Sequence, residues 1–161
     1  MNTSDREIII TRTVMAPRAL VWEACTRPEH IDRWWGPNGF TNKTMFFDLR
    51  VGGQWKYTMT SAQGQVFPNL ITYTEVTPID RLTYDHGDWE NPKMFLGSLT
   101  FSDVEGGTLI TLHTVFPTKE ARDLVVEKFG AIEGGKQTLA RLDGYLASMN
   151  GREISRPDDT H

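Results

Sequence analysis

Few side chains in this sequence have the chemistry to act on a substrate, and their spacing narrows them further. The histidines are His30, His86, His113 and His161, with no H-x-x-x-H or H-E-x-x-H pair to hold a metal ion. A single cysteine, Cys25, cannot form an internal disulfide. It falls among apolar neighbours, where a thiol packs as a small hydrophobe rather than ionising. No G-x-S-x-G elbow is present. The paired glycines Gly52-Gly53 and Gly106-Gly107 read as hairpin turns without the lysine of a phosphate loop. Acid–base chemistry is left to Asp48, Glu75, Asp85 and His86. Of these His86 shares a strand face with Leu82 and Tyr84 and is the best inward polar group. Asp85 reads as outward, Asp48 as a hairpin-end residue, and Glu75 sits on a strand whose faces the pattern does not distinguish.

The more prominent set is aromatic. Trp34, Trp35, Trp55, Tyr57, Tyr73 and Tyr84 are many rings for one domain. For any single ring the simpler role is core filler. As a group they suit a pocket with apolar walls and a few polar tips, since each Trp or Tyr offers a flat face and one donor.

Elements that would position these residues follow from periodicity. Ile8–Met15 is rich in β-branched residues and reads as a first strand. Pro17 suits the first turn of a helix carrying Leu20, Val21 and Ala24, and Thr26 with Glu29 has capping-box spacing for a second short helix that leads to Trp34-Trp35. Gly36-Pro37 stops it. Strands then follow at hairpin distances. Met45, Phe47 and Leu49 share a face, then Trp55, Tyr57 and Met59. A strand to about Val76 comes next, then Leu82, Tyr84 and His86, then Phe95, Leu99 and Phe101, then Thr108–Phe116. Such a succession makes an antiparallel meander rather than βαβ units. The period then changes. Val125, Phe129, Ile132, Leu139, Leu142, Leu146 and Met149 form a helical stripe, predicting one long helix across Gly130 and Gly134-Gly135. The fold class is α+β, with a curved sheet gripping a C-terminal helix. In the helical register Gly135 stands between Ile132 and Leu139, where a large side chain would otherwise sit. Gly134 and Gly135 are therefore expected to wall a cavity.

Composition bounds the function. The chain has 161 residues, the size of one domain, expected over 1–149 with a polar, disordered tail over 150–161. With 17 basic and 21 acidic side chains the formal charge is −4, without a basic cluster, which argues against a nucleic-acid partner. No apolar run is long enough to span a bilayer, no signal-peptide core precedes the first strand, and a cytoplasmic address is expected.

The run Pro17-x-x-x-Val21-Trp22-x-Ala24, then Pro28-Glu29-His30 and Trp34-Trp35-Gly36-Pro37, resembles the activator of heat-shock-protein ATPase homologue family. The likeness continues through Asp48-Leu49-Arg50-Val51-Gly52-Gly53, Phe101, Gly107-Thr108-Leu109 and Thr138-Leu139-x-x-Leu142, so it spans about Ile8 to Leu146. The resemblance implies a helix-grip fold, shared with steroidogenic-acute-regulatory lipid-transfer domains, the birch-pollen allergens and polyketide cyclases. It implies six or seven strands wrapped around a long helix, two short helices after the first strand, and an internal cavity. The function expected is binding of a small, partly apolar or aromatic molecule, without cofactor or metal, by a monomer or a homodimer. The residues expected to contact it are Trp34, Trp55, Tyr57, Tyr73, Tyr84, His86, Gly134 and Gly135. Two other readings stand beside it: a cyclase, dehydratase or hydrolase using the same pocket, and a protein-interaction module of co-chaperone or stress-response type.

Overall fold

The computed structural model describes residues 4–155. After a short 3-10 turn, β1 (Glu7–Val14) leads into α1 (Arg18–Thr26) and α2 (Pro28–Ile31). Six strands follow in sequence: β2 (Thr41–Phe47), β3 (Gln54–Thr60), β4 (Val66–Thr77), β5 (Arg81–Gly87), β6 (Phe95–Val104) and β7 (Gly107–Val115). Two helices close the chain, α3 (Lys119–Phe129) and α4 (Ala131–Ser155). The strands form one seven-stranded antiparallel sheet in the order β1-β7-β6-β5-β4-β3-β2. The meander from β2 to β7 is thus consecutive, and β1 adds to its far edge. This is the α+β helix-grip architecture expected from the sequence.

Alternation decides which face is core. Ile8, Ile10 and Val14 on β1, Trp55 and Tyr57 on β3, Leu82 and Tyr84 on β5, Leu99 and Phe101 on β6 and Ile110 on β7 are all buried. Helix α4 covers them with Leu139, Leu142, Leu146 and Met149, spaced 3, 4 and 3 along one helical side. Two polar ties fix its lie. Asp143 accepts from Arg12 of β1 at 2.8 Å. The Arg141 guanidinium donates to the carbonyls of Gly36 at 2.9 Å, Pro37 at 2.8 Å and Phe40 at 3.1 Å, fastening the helix to the loop after α2.

Three local expectations are corrected. The C-terminal stripe is carried by two helices. Gly130 adopts the left-handed conformation (φ 61°, ψ 44°) as the cap of α3, and α4 starts at the next residue. Phe129, expected on the buried stripe, is therefore 73% exposed, whereas Gly134 and Gly135 lie inside an unbroken α4. The second helix starts at Pro28, not Thr26, because the Thr26 hydroxyl donates back to the Trp22 carbonyl within α1 at 2.6 Å. On β2 a bulge between Thr44 and Phe46 breaks the alternation, so Phe47 packs against the core while Met45 is exposed. The backbone of α4 continues to Ser155, past the expected boundary at Met149. The remainder of the expected tail, 156–161, lies outside the described residues.

Candidate ligand-binding site

The inner faces of β3, β4 and β5 bring most of the expected rings together. Trp55 and Tyr57, two residues apart, stack with centroids 3.8 Å apart and planes 17° from parallel. Cross-strand pairing sets Tyr73 opposite Tyr84 and Ile71 opposite His86. Tyr84 and His86 meet edge to face at 6.2 Å. Room for the Tyr84 ring comes from Gly97, its partner on β6, where any Cβ would overlap the hydroxyl-bearing edge of the ring.

Hydrogen bonds order this cluster. Trp35 Nε1 donates to the Tyr57 hydroxyl at 2.8 Å. Trp55 Nε1 donates to Thr44 Oγ1 at 3.0 Å, and that hydroxyl donates to Asp32 at 2.6 Å. His86 Nε2 lies 2.9 Å from Asn69 Oδ1 and 3.4 Å from the Tyr57 hydroxyl. An amide oxygen only accepts, so Nε2 carries the proton. Burial pulls the His86 pKa down to about 4, which leaves the ring neutral at neutral pH. Burial likewise pushes the phenols of Tyr57, Tyr73 and Tyr84 and the thiol of Cys25 upward. Among the described residues, the space around His86 therefore offers neutral hydrogen-bonding groups and no fully buried charge. Among the described residues no three His, Cys, Asp or Glu side chains converge to hold a metal ion.

Open space lies beside this cluster. A cavity of about 200 Å³ sits between β1, β6, β7 and the two C-terminal helices. Among the described residues its lining includes Ile8, Ile10, Phe95, Phe116, Val125 and Gly135, with Thr114 as the only hydroxyl. Among the expected site residues, Gly135 borders it, and a Cβ there would stand 3.0 Å from Ile10 Cγ1. Gly134 instead faces Pro37. Trp34 is sealed in the core, its Nε1 donating to the Ala24 carbonyl at 2.9 Å. Trp55, Tyr57, Tyr73, Tyr84 and His86 stand behind the cavity rather than around it. The link is Phe95, whose ring lies 4.7 Å from His86 on one side and 5.2 Å from Phe116 on the other. Phe95 and Phe116 were missed as lining residues, although each closes an alternating inward pattern on its strand. His113 lies on the sheet face opposite the core and meets Glu7 at 2.6 Å. Glu75 accepts from Thr77 Oγ1 at 2.8 Å beside a bulge between Tyr73 and Glu75.

With fold and cavity defined, comparison with known proteins decides the family. Residues 15–147 match the model of the activator of Hsp90 ATPase homolog 1-like proteins. The chain belongs to that family. Among solved structures it is similar to protein Ms6760 from Mycobacterium smegmatis, with 26% identity, TM-score 0.82, and 92% of this chain and 95% of that one covered. It is also similar to protein NE0264 from Nitrosomonas europaea, with 25% identity, TM-score 0.80, and coverage of 92% and 98%. An AHSA1-like protein from Aeromonas hydrophila shares the fold at 20% identity and TM-score 0.71, with coverage of 89% and 94%. No curated protein sequence matches the chain significantly. Among the described residues, no helix of this family member is long and apolar enough to cross a membrane.

Proposed function

We propose that the protein binds a small, neutral, largely apolar molecule in the cavity between the sheet and helices α3 and α4. The observation that carries this reading is the cavity itself: about 200 Å³, walled by aliphatic side chains and two phenylalanines, with one hydroxyl at Thr114. An apolar cavity of about 150 Å³ accepts benzene, so this one suits one or two fused rings or a short acyl segment with a single hydrogen-bonding atom. A charged ligand would find no counter-ion among the lining residues. Trp55, Tyr57, Tyr73, Tyr84 and His86, with Trp34 behind them, back the Phe95 wall as a rigid floor, and Gly134 and Gly135 let the helix approach. One chain supplies every wall, so the reading holds for a monomer or a homodimer, and the unpaired Cys25 fits a cytoplasmic setting. An enzyme of cyclase, dehydratase or hydrolase type is the second reading. In its favour is the polar group of Tyr57, Asn69 and His86 one ring away from the cavity.

The test is titration of the intact chain with indole and with naphthalene, followed by thermal unfolding and amide NMR shifts. Binding should raise the unfolding temperature and shift the amides of Ile10, Thr114 and Gly135. Ala131→Leu, which places bulk into the cavity, should abolish both effects while the variant stays folded. Absence of any response in the wild type refutes the reading.

A further inference from the structure

A second constellation, which shares no residue with the cavity lining, joins three helices. Glu23 of α1, His30 of α2 and Tyr145 of α4 form a continuous chain. Glu23 Oε2 lies 3.3 Å from His30 Nε2, and His30 Nδ1 lies 2.5 Å from the Tyr145 hydroxyl. The carboxylate can only accept, so in the neutral ring Nε2 carries the proton and Nδ1 presents its lone pair to the phenol. Tyr145 O–H therefore donates to a base that is itself oriented by a carboxylate. This is the arrangement that activates a nucleophilic hydroxyl.

The arrangement is open to solvent on one side. His30 and Tyr145 line a surface depression of about 590 Å³ together with Glu29, Arg33 and Ser148. The His30 side chain is only 18% exposed and Glu23 40%, so the relay is partly sheltered, while Tyr145 itself lines the depression. Arg33 is exposed, and no ion pair holds its guanidinium among the described residues. A guanidinium beside a nucleophile can meet an oxygen as it gains negative charge.

We infer that Tyr145 is an acyl-accepting nucleophile, activated by His30 and Glu23, and that its substrates are neutral carboxylic esters with a good leaving group. Charge selects this class over phosphate esters. Glu29 lines the depression and Glu23 pairs with His30 at its edge; both carboxylates disfavour a substrate already anionic, whereas a neutral ester becomes negative only in the transition state, where Arg33 can meet it. In the step, Tyr145 Oη bonds to the carbonyl carbon and its proton passes to His30 Nδ1. The carbon–oxygen bond of the ester then breaks, its electron pair leaving with the alcohol oxygen, which takes the proton from His30. The products are an O-acyl tyrosine and the free alcohol. Glu23 acts as a positioning residue that stabilises the transient imidazolium. This inference is independent of the cavity and survives if the cavity binds nothing.

The probe is 4-nitrophenyl acetate, added to the intact chain at neutral pH, with nitrophenolate release followed by absorbance and the acetylated residue located by peptide mass spectrometry. Acetyl should appear on Tyr145 about a hundredfold faster than on free N-acetyltyrosinamide, the lower end of what a positioned general base supplies. Tyr145→Phe should remove the fast phase, and His30→Gln should return Tyr145 to the rate of the free phenol. Glu23→Gln should slow the step and move its pH profile, a readout that mere loss of packing leaves in place. Near-ultraviolet circular dichroism checks that each variant is folded. If Tyr145→Phe unfolds, the site-resolved rates of wild type and His30→Gln still decide the matter. Acetylation confined to lysines or the N-terminus overturns the proposal, as does a Tyr145 rate unchanged in His30→Gln.

Discussion

Leu142 sits at the centre of the α4 stripe and is fully buried. Leu142→Ala removes three carbons from the core, a transfer loss of about 2.4 kcal/mol at roughly 0.8 kcal/mol per methylene. Its neighbours Leu139 and Leu146 are held on the same helix, and the sheet behind is a rigid partner, so little of the void can close. A residual cavity of about 60 Å³ adds about 1.5 kcal/mol at the usual cost per unit volume. The expected destabilisation is about 4 kcal/mol, which for a domain of this size lowers the unfolding temperature by roughly 8–16 °C. Urea unfolding followed by tryptophan fluorescence measures it, with Leu124→Ala as the control. Leu124 is on α3 and 50% exposed, so its truncation should cost less than about 0.5 kcal/mol. Losing less than that at Leu142 would refute the packing of α4 against the sheet.

His86 gives a pH signature. Its folded pKa of about 4 lies below the unfolded value of 6.5, so its contribution is complete above pH 6.5 and is lost as pH falls toward 4. Wild type should lose up to about 3 kcal/mol more than His86→Gln between pH 7 and pH 4, read from paired urea titrations; parallel losses would show that His86 is not sheltered. Gly130→Ala places a side chain in left-handed backbone at an open position and should cost about 1 kcal/mol by thermal unfolding. A stabilising result would mean that α3 and α4 run as one helix. Gly97→Ala drives a methyl group into the Tyr84 ring and should cost roughly 1–3 kcal/mol, with a changed near-ultraviolet dichroism signal. Retention of both stability and signal would place Tyr84 elsewhere.

Much of this was legible because long alternation and helical spacing are redundant signals. Leu139, Leu142 and Leu146 declare their common side whatever happens at the helix ends, and Trp55 with Tyr57 cannot be separated on a regular strand. Single-residue events were not legible. Gly130 breaks the helix while Gly134 and Gly135 do not, yet all three look alike in sequence. Only the start of α4 at Ala131 distinguishes a cap from an interior glycine. The bulge before Phe46 has no sequence mark at all. The aromatic set lies in the interior next to the cavity, on its packed side. Which rings fill space and which border it depends on the closeness of helix and sheet, and it is Phe95 and Phe116 that border the space between α3, α4 and strands β1, β6 and β7. The Glu23–His30–Tyr145 chain joins three helices, and its members are too far apart in sequence for spacing to reveal it.

The placement of β1 has a consequence for how the molecule is made. From β2 to β7 each strand pairs with the next through a short connection, so each step closes a small loop. β1 pairs only with β7, Glu7 opposite Val115 and Val14 opposite Thr108, at the far end of the meander. It precedes the other six strands of the sheet in the chain, yet its partner is the one made last. The ladder that holds Ile8 and Ile10 joins Glu7–Val14 to Thr108–Val115, so it can close only after β7 has been made. Contacts of β1 are therefore expected to form after the rate-limiting step. Truncating Ile10 should hasten unfolding and leave the refolding rate almost unchanged. The strand that begins the sequence acts as the latch of the finished domain.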